Sequence, residues 1–380
     1  MSDTDSPSND AWKGSAPIAP RAPRAAASLS LVNAVLGGLS GHRTELWGSL
    51  LPTMSFRHAG RDVPAEALYE LHVPRRGPRR PVDVAVYVHG LLVDESNWTV
   101  GRAPIAPRLE RIFGWAPLYV RYNTGRHVSE NGEALADLLE RLHGVWGHRL
   151  GRVQVFGHSM GGLVSRSALY QLEQRRAPVL EHIDRLFLMA TPNHGADLER
   201  IGHATEYALN LVLQMPGHGV RLLRERVEGR SGGRRIAETV QALVSVTGAP
   251  LRTIEAVLGA RSDGIRDVRF GYLLREEWES AAHDEHRFML NHRRPVPPPE
   301  SVRTWAIAGS LWPDVGSQPS RVRNDGLVTV ASAAGRGEFD DLGVVEAGRF
   351  AEIPTLVHQL VPSSRRVLAK IRSWIEDDPG

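Results

Sequence analysis

The chain has 380 residues, 42% of them hydrophobic and none of them cysteine, with 46 basic residues against 43 acidic ones for a formal charge of +3. That much apolar material supports a sizeable core, and the lack of cysteine excludes disulfides, thiolate metal sites and a cysteine nucleophile. Charges of both signs are interspersed, so no basic face is set aside for a nucleic acid.

Residues 1–25 are rich in Ser, Pro, Asp and Ala and have no periodicity, which reads as a disordered tail. This acidic start is unlike the basic end of a signal peptide, and no apolar run reaches the ~20 residues that span a bilayer. The expectation is a cytoplasmic protein without a transmembrane segment. The alternative is a displaced export signal, with Arg21 and Arg24 ahead of the moderately apolar residues 25–39. We read residues 26–65 instead as an N-terminal helical segment packed on the body. The basic tract at 75–80 is broken by Gly77 and Pro78 and reads as a solvated loop.

Residues 66–380 alternate strand and helix patterns. Strands are expected at 67–73, 82–88, 118–122, 153–156, 186–190 and 302–308. Most are apolar enough to be buried on both faces, as in a parallel sheet. Between them, Leu135, Leu138, Leu139, Leu142 and Trp146 fall on one helical face, and Leu163, Val164 and Ala168 begin another helix. Val367, Leu368, Ile371, Trp374 and Ile375 form a terminal amphipathic stripe. This alternation predicts an α/β fold with a doubly wound, mostly parallel sheet. Residues 196–300 break the rhythm, with helical stripes at 204–215 and 236–247. They are expected to form a helical insertion above the sheet, acting as a cap or lid.

Gly157-His158-Ser159-Met160-Gly161 fits G-x-S-x-G between an expected strand and an expected helix. In that setting a sharp turn exposes the serine, glycines on either side remove clashing side chains, and the helix N-terminus favours a developing oxyanion. With Gly162 added, the segment resembles the nucleophile elbow of α/β-hydrolase lipases and esterases, over most of residues 82–375. Similarity to lipases that act as GPI-inositol deacylases is of the same kind. The resemblance implies a Ser–acid–His triad in that chain order.

Carried onto this sequence, the nucleophile is Ser159. His89-Gly90 after the second core strand resembles the oxyanion loop, which makes the backbone N–H of Leu91 one donor and that of Met160 the other. His358 is the only histidine after His292, so chain order selects it as the base over His158, His194 and His203. Its ordinary pKa of ~6.5 suits proton transfer near neutrality. Asn324-Asp325-Gly326-Leu327-Val328 resembles the acid-bearing segment of bacterial lipases, which favours Asp325, with Asp314 as its competitor. Thr191-Pro192-Asn193-His194-Gly195 resembles a lipase loop but has Asn where the first His usually stands. Residues 121–125 could border the pocket.

No H-E-x-x-H, Rossmann or P-loop pattern appears, and no cofactor or metal is expected. The expected activity is cleavage of carboxylic esters, small-molecule or lipid, through an acyl-enzyme. Acyl transfer or another lipid-ester hydrolysis is the near alternative, and a catalytically silent fold used for binding is the distant one. Contact with a membrane surface, oligomeric state and acyl length stay open at this point.

Overall fold

A computed structural model of the chain describes residues 52–74, 80–196, 262–282, 292–316, 318–337, 341–346 and 348–378. Among these residues, eight strands form one sheet. They are β1 (Ser55–His58), β2 (Arg61–Val63), β3 (Val82–Val88), β4 (Ala116–Arg121), β5 (Leu150–His158), β6 (Ile183–Met189), β7 (Arg303–Gly309) and β8 (Phe350–Ile353). The spatial order is β2-β1-β4-β3-β5-β6-β7-β8. From β4 to β8 every neighbouring pair is parallel, while β1 runs antiparallel to both β2 and β4. Mostly parallel topology follows from the apolar, β-branched runs, which have no solvent face to offer.

Two layers of helices cover the sheet. Side chains alternate along each strand, so Val84, Val86 and Val88 of β3 enter one core while Ala85 and Tyr87 enter the other. The first core includes α3 (Val128–Trp146) and α4 (Met160–Gln174) through Leu135, Leu139, Leu142, Leu163 and Val164. The second includes α2 (Ile105–Phe113) and the C-terminal helix α7 (Arg365–Asp377) through Ile105, Leu109, Val367, Ile371 and Trp374. In this second core the register lines up one aromatic residue from each of five adjacent strands. Tyr119, Tyr87, Phe156, Phe187 and Trp305 stack in sequence with ring centroids 5.4, 5.1, 4.7 and 5.3 Å apart. Such offset stacks add to the area they bury and fix the register of the strands that carry the site.

Several expectations change. Residues 67–73, read as the first strand, lie almost wholly in helix α1 (Ala65–His72), with Ala65 and Leu68 buried. Ala, Leu and Glu are good helix formers, and their two-residue alternation here was coincidental to a buried spacing of three. Within residues 26–65, read as helical, Ser55–His58 and Arg61–Val63 are instead a short hairpin on the edge of the sheet. The strand β8 was not anticipated, because its four residues are short and only half-buried apart from Ile353. Of the expected insertion, residues 197–261 and 283–291 lie outside the described residues, as do both stripes, the tail and most of the tract at 75–80. What is described there are the helices α5 (Asp263–Phe270) and α6 (Arg275–Ala282). No described helix is long and apolar enough to cross a membrane.

Candidate active site

Most of the chemically suggestive segments lie just past the C-terminal ends of parallel strands, where ligands bind in open α/β sheets. β3 leads into His89–Gly90, β4 into Tyr122–Gly125, β5 into Ser159, β6 into Thr191–Gly195, and β8 toward His358.

Ser159 sits between the end of β5 and the start of α4 with φ 54° and ψ −126°. A non-glycine residue in such a conformation costs about 1–3 kcal/mol and persists only where its surroundings impose it. Here its amide donates to the Met189 carbonyl at 2.9 Å, and its carbonyl accepts from the Gly162 amide at 2.9 Å. The glycines are dictated by space. A methyl group on Gly157 would lie 2.5 Å from Gly162 Cα, one on Gly161 2.3 Å from the Val88 carbonyl oxygen, and one on Gly162 1.9 Å from Thr191 Oγ1. Sheet, turn and helix therefore meet with no room for side chains.

An eight-stranded, mostly parallel sheet with helices on both faces now carries a strained strand–turn–helix serine at its C-terminal edge. The chain has the α/β-hydrolase fold.

On this fold, His358 opens the 3-10 turn His358–Ser363 and is 4% exposed. Its Nδ1 lies 2.8 Å from Asp325 Oδ2. Its Nε2 is buried and has no hydrogen-bond partner among the described residues. Asp325 is 2% exposed, and its Oδ1 accepts from the amides of Leu327 at 3.0 Å and Val328 at 2.8 Å. Asp314, its competitor in the sequence, is exposed to solvent. The structure thus brings Asp325 and His358 together.

The Gly90 backbone passes close to the serine, since a methyl group there would lie 3.0 Å from Ser159 Cβ. His89 is fully buried, stacks on Tyr122 at 4.4 Å, and accepts the Tyr122 hydroxyl proton on its carbonyl oxygen at 2.7 Å. Burial lowers its pKa and keeps the ring neutral. Leu91 is half-buried, and Met160 is fully buried at the first turn of α4. Beyond them, Leu92 has φ 61°, and its amide donates to Thr124 Oγ1 at 3.3 Å. Thr124 was legible only as part of a loop bordering the pocket; its hydroxyl in fact braces the turn that carries Leu91.

Asn193 and His194 serve to fasten the loop after β6. The Asn193 side chain accepts from Arg166 at 2.9 Å and donates to the Ala333 carbonyl at 2.9 Å, while the His194 ring meets the Arg293 guanidinium at 2.8 Å. The described part of the insertion reaches the same edge. The Gly264 amide at the start of α5 donates to the Gly125 carbonyl at 3.2 Å, and a methyl group on Gly264 would touch Met160 Cε at 3.0 Å.

Residues 120–214 match the family described as PGAP1-like alpha/beta domain. No curated protein matches the sequence. Similar solved structures include the mature form of the Bacillus licheniformis lipase BlEst2, at 16% identity over 78% of this chain and 93% of that one, with a TM-score of 0.44. A lipase-esterase related protein from Clostridium acetobutylicum is 11% identical over 79% of this chain and 97% of that one, with a TM-score of 0.35. An alpha/beta hydrolase fold protein from Burkholderia ambifaria is 15% identical over 77% of this chain and 91% of that one, with a TM-score of 0.34.

Proposed function

We propose that this chain is a serine hydrolase that cleaves carboxylic esters through an acyl-enzyme on Ser159. The observation that carries this reading is the pairing of His358 with the buried carboxylate of Asp325. It leaves Nε2 as a buried nitrogen with no partner among the described residues, in a residue whose backbone is tied to His158, the neighbour of the strained Ser159.

In this reading Asp325 orients the His358 ring and stabilises its protonated form. His358 Nε2 takes the proton from Ser159 Oγ as the oxygen attacks the ester carbonyl. The backbone amides of Leu91 and Met160 donate to the tetrahedral oxyanion, each worth roughly 3 kcal/mol by analogy with known oxyanion holes. The alcohol then leaves with the proton from His358. Water repeats the sequence on the acyl-enzyme and releases the acid.

The test is labelling with a fluorophosphonate probe, mapped by mass spectrometry, together with a series of p-nitrophenyl acyl esters. Ser159 should carry the adduct, and Ser159→Ala should lose ester turnover. Turnover that survives Ser159→Ala overturns the proposal, and a Ser159 that never labels favours a binding role for the fold. Product analysis with added alcohols separates hydrolysis from acyl transfer.

A further inference from the structure

Asn97 and His158 take no part in the steps above, yet they form a chain of contacts that ends on the proposed base. Asn97 belongs to the 3-10 turn Glu95–Trp98. Its Nδ2 lies 3.1 Å from His158 Nδ1, and His158 Nε2 lies 3.1 Å from the carbonyl oxygen of His358. His158 is 4% exposed. Trp98 meets its ring edge-on at 6.4 Å, and the His358 ring lies 5.0 Å away on a plane tilted by 41°.

The chemistry of these atoms selects one tautomer. An amide nitrogen only donates, and a carbonyl oxygen only accepts. His158 Nδ1 must therefore accept from Asn97, and Nε2 must carry the proton and donate to His358. If the Asn97 amide were reversed, the proton would move to Nδ1 and an Nε2 lone pair would face the carbonyl oxygen. The network therefore sets its own orientation. Burial, reinforced by the neighbouring His358, holds the His158 pKa well below the ordinary histidine value, so the ring stays neutral.

We propose that His158 is a positioning residue that fixes the base relative to the nucleophile, with Asn97 locking its tautomer. This deepens the reading of Ser159 and His358 above and rests on it. The amide and Nδ1 of His358 are both held by Asp325, in the loop beyond β7. The hold on its carbonyl comes from the other direction, from the last residue of the central strand β5, bonded directly to Ser159. That contact ties the start of the His358–Ser363 turn to the serine's own backbone. The Glu95–Trp98 turn is itself anchored. Glu95 accepts from Arg57 at 3.1 Å and from Arg121 at 2.6 and 2.5 Å, and Asp94 caps the Ser96 amide at 3.0 Å. Reacting atoms must approach within ~3–3.5 Å, so a drift of ~1 Å in the base is enough to cost a hundredfold in rate.

The test uses full-length protein, p-nitrophenyl butyrate kinetics, the rate of fluorophosphonate labelling, and the thermal midpoint of each variant. His158→Leu should lower kcat and the labelling rate about tenfold to a hundredfold with KM nearly unchanged. His158→Gln, whose amide N–H can reach the His358 carbonyl, should recover most of that loss. Asn97→Ala keeps the imidazole but frees its tautomer, and should lower kcat by several-fold at unchanged KM. A His158→Leu protein with the parent kcat overturns the proposal, as does a folded Gln variant no better than Leu. If His158→Leu does not fold, Asn97→Ala decides, and an unchanged kcat there overturns it. An active Ser159→Ala removes the reading underneath. An inactive Ser159→Ala beside a fully active His158→Leu removes the positioning role alone.

Discussion

Asp325 and His358 are joined twice: through the Oδ2–Nδ1 contact of 2.8 Å and through a 2.9 Å hydrogen bond from the His358 amide to the Asp325 carbonyl. The two links respond differently to Asp325→Asn. The backbone bond survives, and the side-chain oxygen can still accept from the Leu327 and Val328 amides. The new NH2 group then faces His358 Nδ1, which must accept. The proton is forced onto Nε2, the wrong tautomer for a base. We expect kcat to fall on the order of 10³–10⁴-fold with little change in thermal midpoint, by analogy with the serine proteases. The exposed Asp314, changed to Asn, should leave ester kinetics untouched. Equal losses in the two variants would refute the assignment of the acid.

Thr124 offers a test of the proposed oxyanion loop that does not touch its backbone donors. Its hydroxyl oxygen accepts from the buried Leu92 amide, and Leu92 already holds φ 61°. Thr124→Val keeps the shape and removes the acceptor. An amide left unsatisfied in the interior costs about 1–3 kcal/mol, which the loop can relieve by moving. We expect a several-fold lower kcat on p-nitrophenyl esters with a lowered thermal midpoint, and slower fluorophosphonate labelling. Unchanged kinetics would mean that the Leu91–Leu92 turn does not hold the reacting carbonyl.

How much of this could be read from the sequence depended on how local each signal was. The strands β3, β5 and β6 were legible because buried apolar runs leave few alternatives, and the elbow because its glycines answer a purely local steric demand. Asp325 and His358 were legible only through chain order and resemblance, since their contact spans 33 residues. The helix α1 was misread because an eight-residue segment with two buried positions carries too little period to separate helix from strand. The roles of Asn97 and Thr124 were invisible. Their contacts reach 61 and 32 residues along the chain, and no spacing rule announces a side chain that holds another segment's backbone or ring.

Gly161 should tolerate no side chain. A methyl group there would meet the Val88 and His89 carbonyl oxygens at 2.3 and 2.4 Å, both backbone atoms at the end of the central strand β3. Neither can rotate away, so α4 must lift from the sheet and carry Met160 and Ser159 with it. Overpacking of this kind typically costs about 1–3 kcal/mol, and it falls here on a turn that is already strained. Gly161→Ala should lower the denaturation midpoint and slow fluorophosphonate labelling together. Gly144, where a methyl group would meet nothing within 4 Å, is the control, and Gly144→Ala should be neutral or stabilising. If Gly161→Ala labels at the parent rate, the close approach of helix and strand is not what sets the serine.

The contact between His127 and Asp267 joins α5 to the start of α3, and it predicts how stability varies with pH. His127 Nδ1 lies 3.1 Å from Asp267 Oδ2, and its ring stacks on Trp278 at 3.9 Å with 8° between the planes. Burial alone would lower the His127 pKa. The hydrogen bond and charge of Asp267, with the charges of Asp263 and Glu130, outweigh it and raise the pKa above the ordinary histidine value. Burial also raises the Asp267 carboxyl, which by itself opposes an ion pair. The His127 contact and the Val128 amide, which donates to Asp267 Oδ2 at 2.7 Å at the positive end of α3, pull that carboxyl back down and favour the carboxylate. A histidine whose folded pKa lies above its unfolded value of ~6.5 stabilises fully below that pH, and the gain fades as pH rises through the folded value. The difference in thermal midpoint between the protein and His127→Gln should therefore be largest at or below about pH 6 and shrink steadily toward pH 9. A difference that stays flat or grows across that range would mean that His127 is held neutral, as a stacked ring and hydrogen-bond partner rather than as a charge.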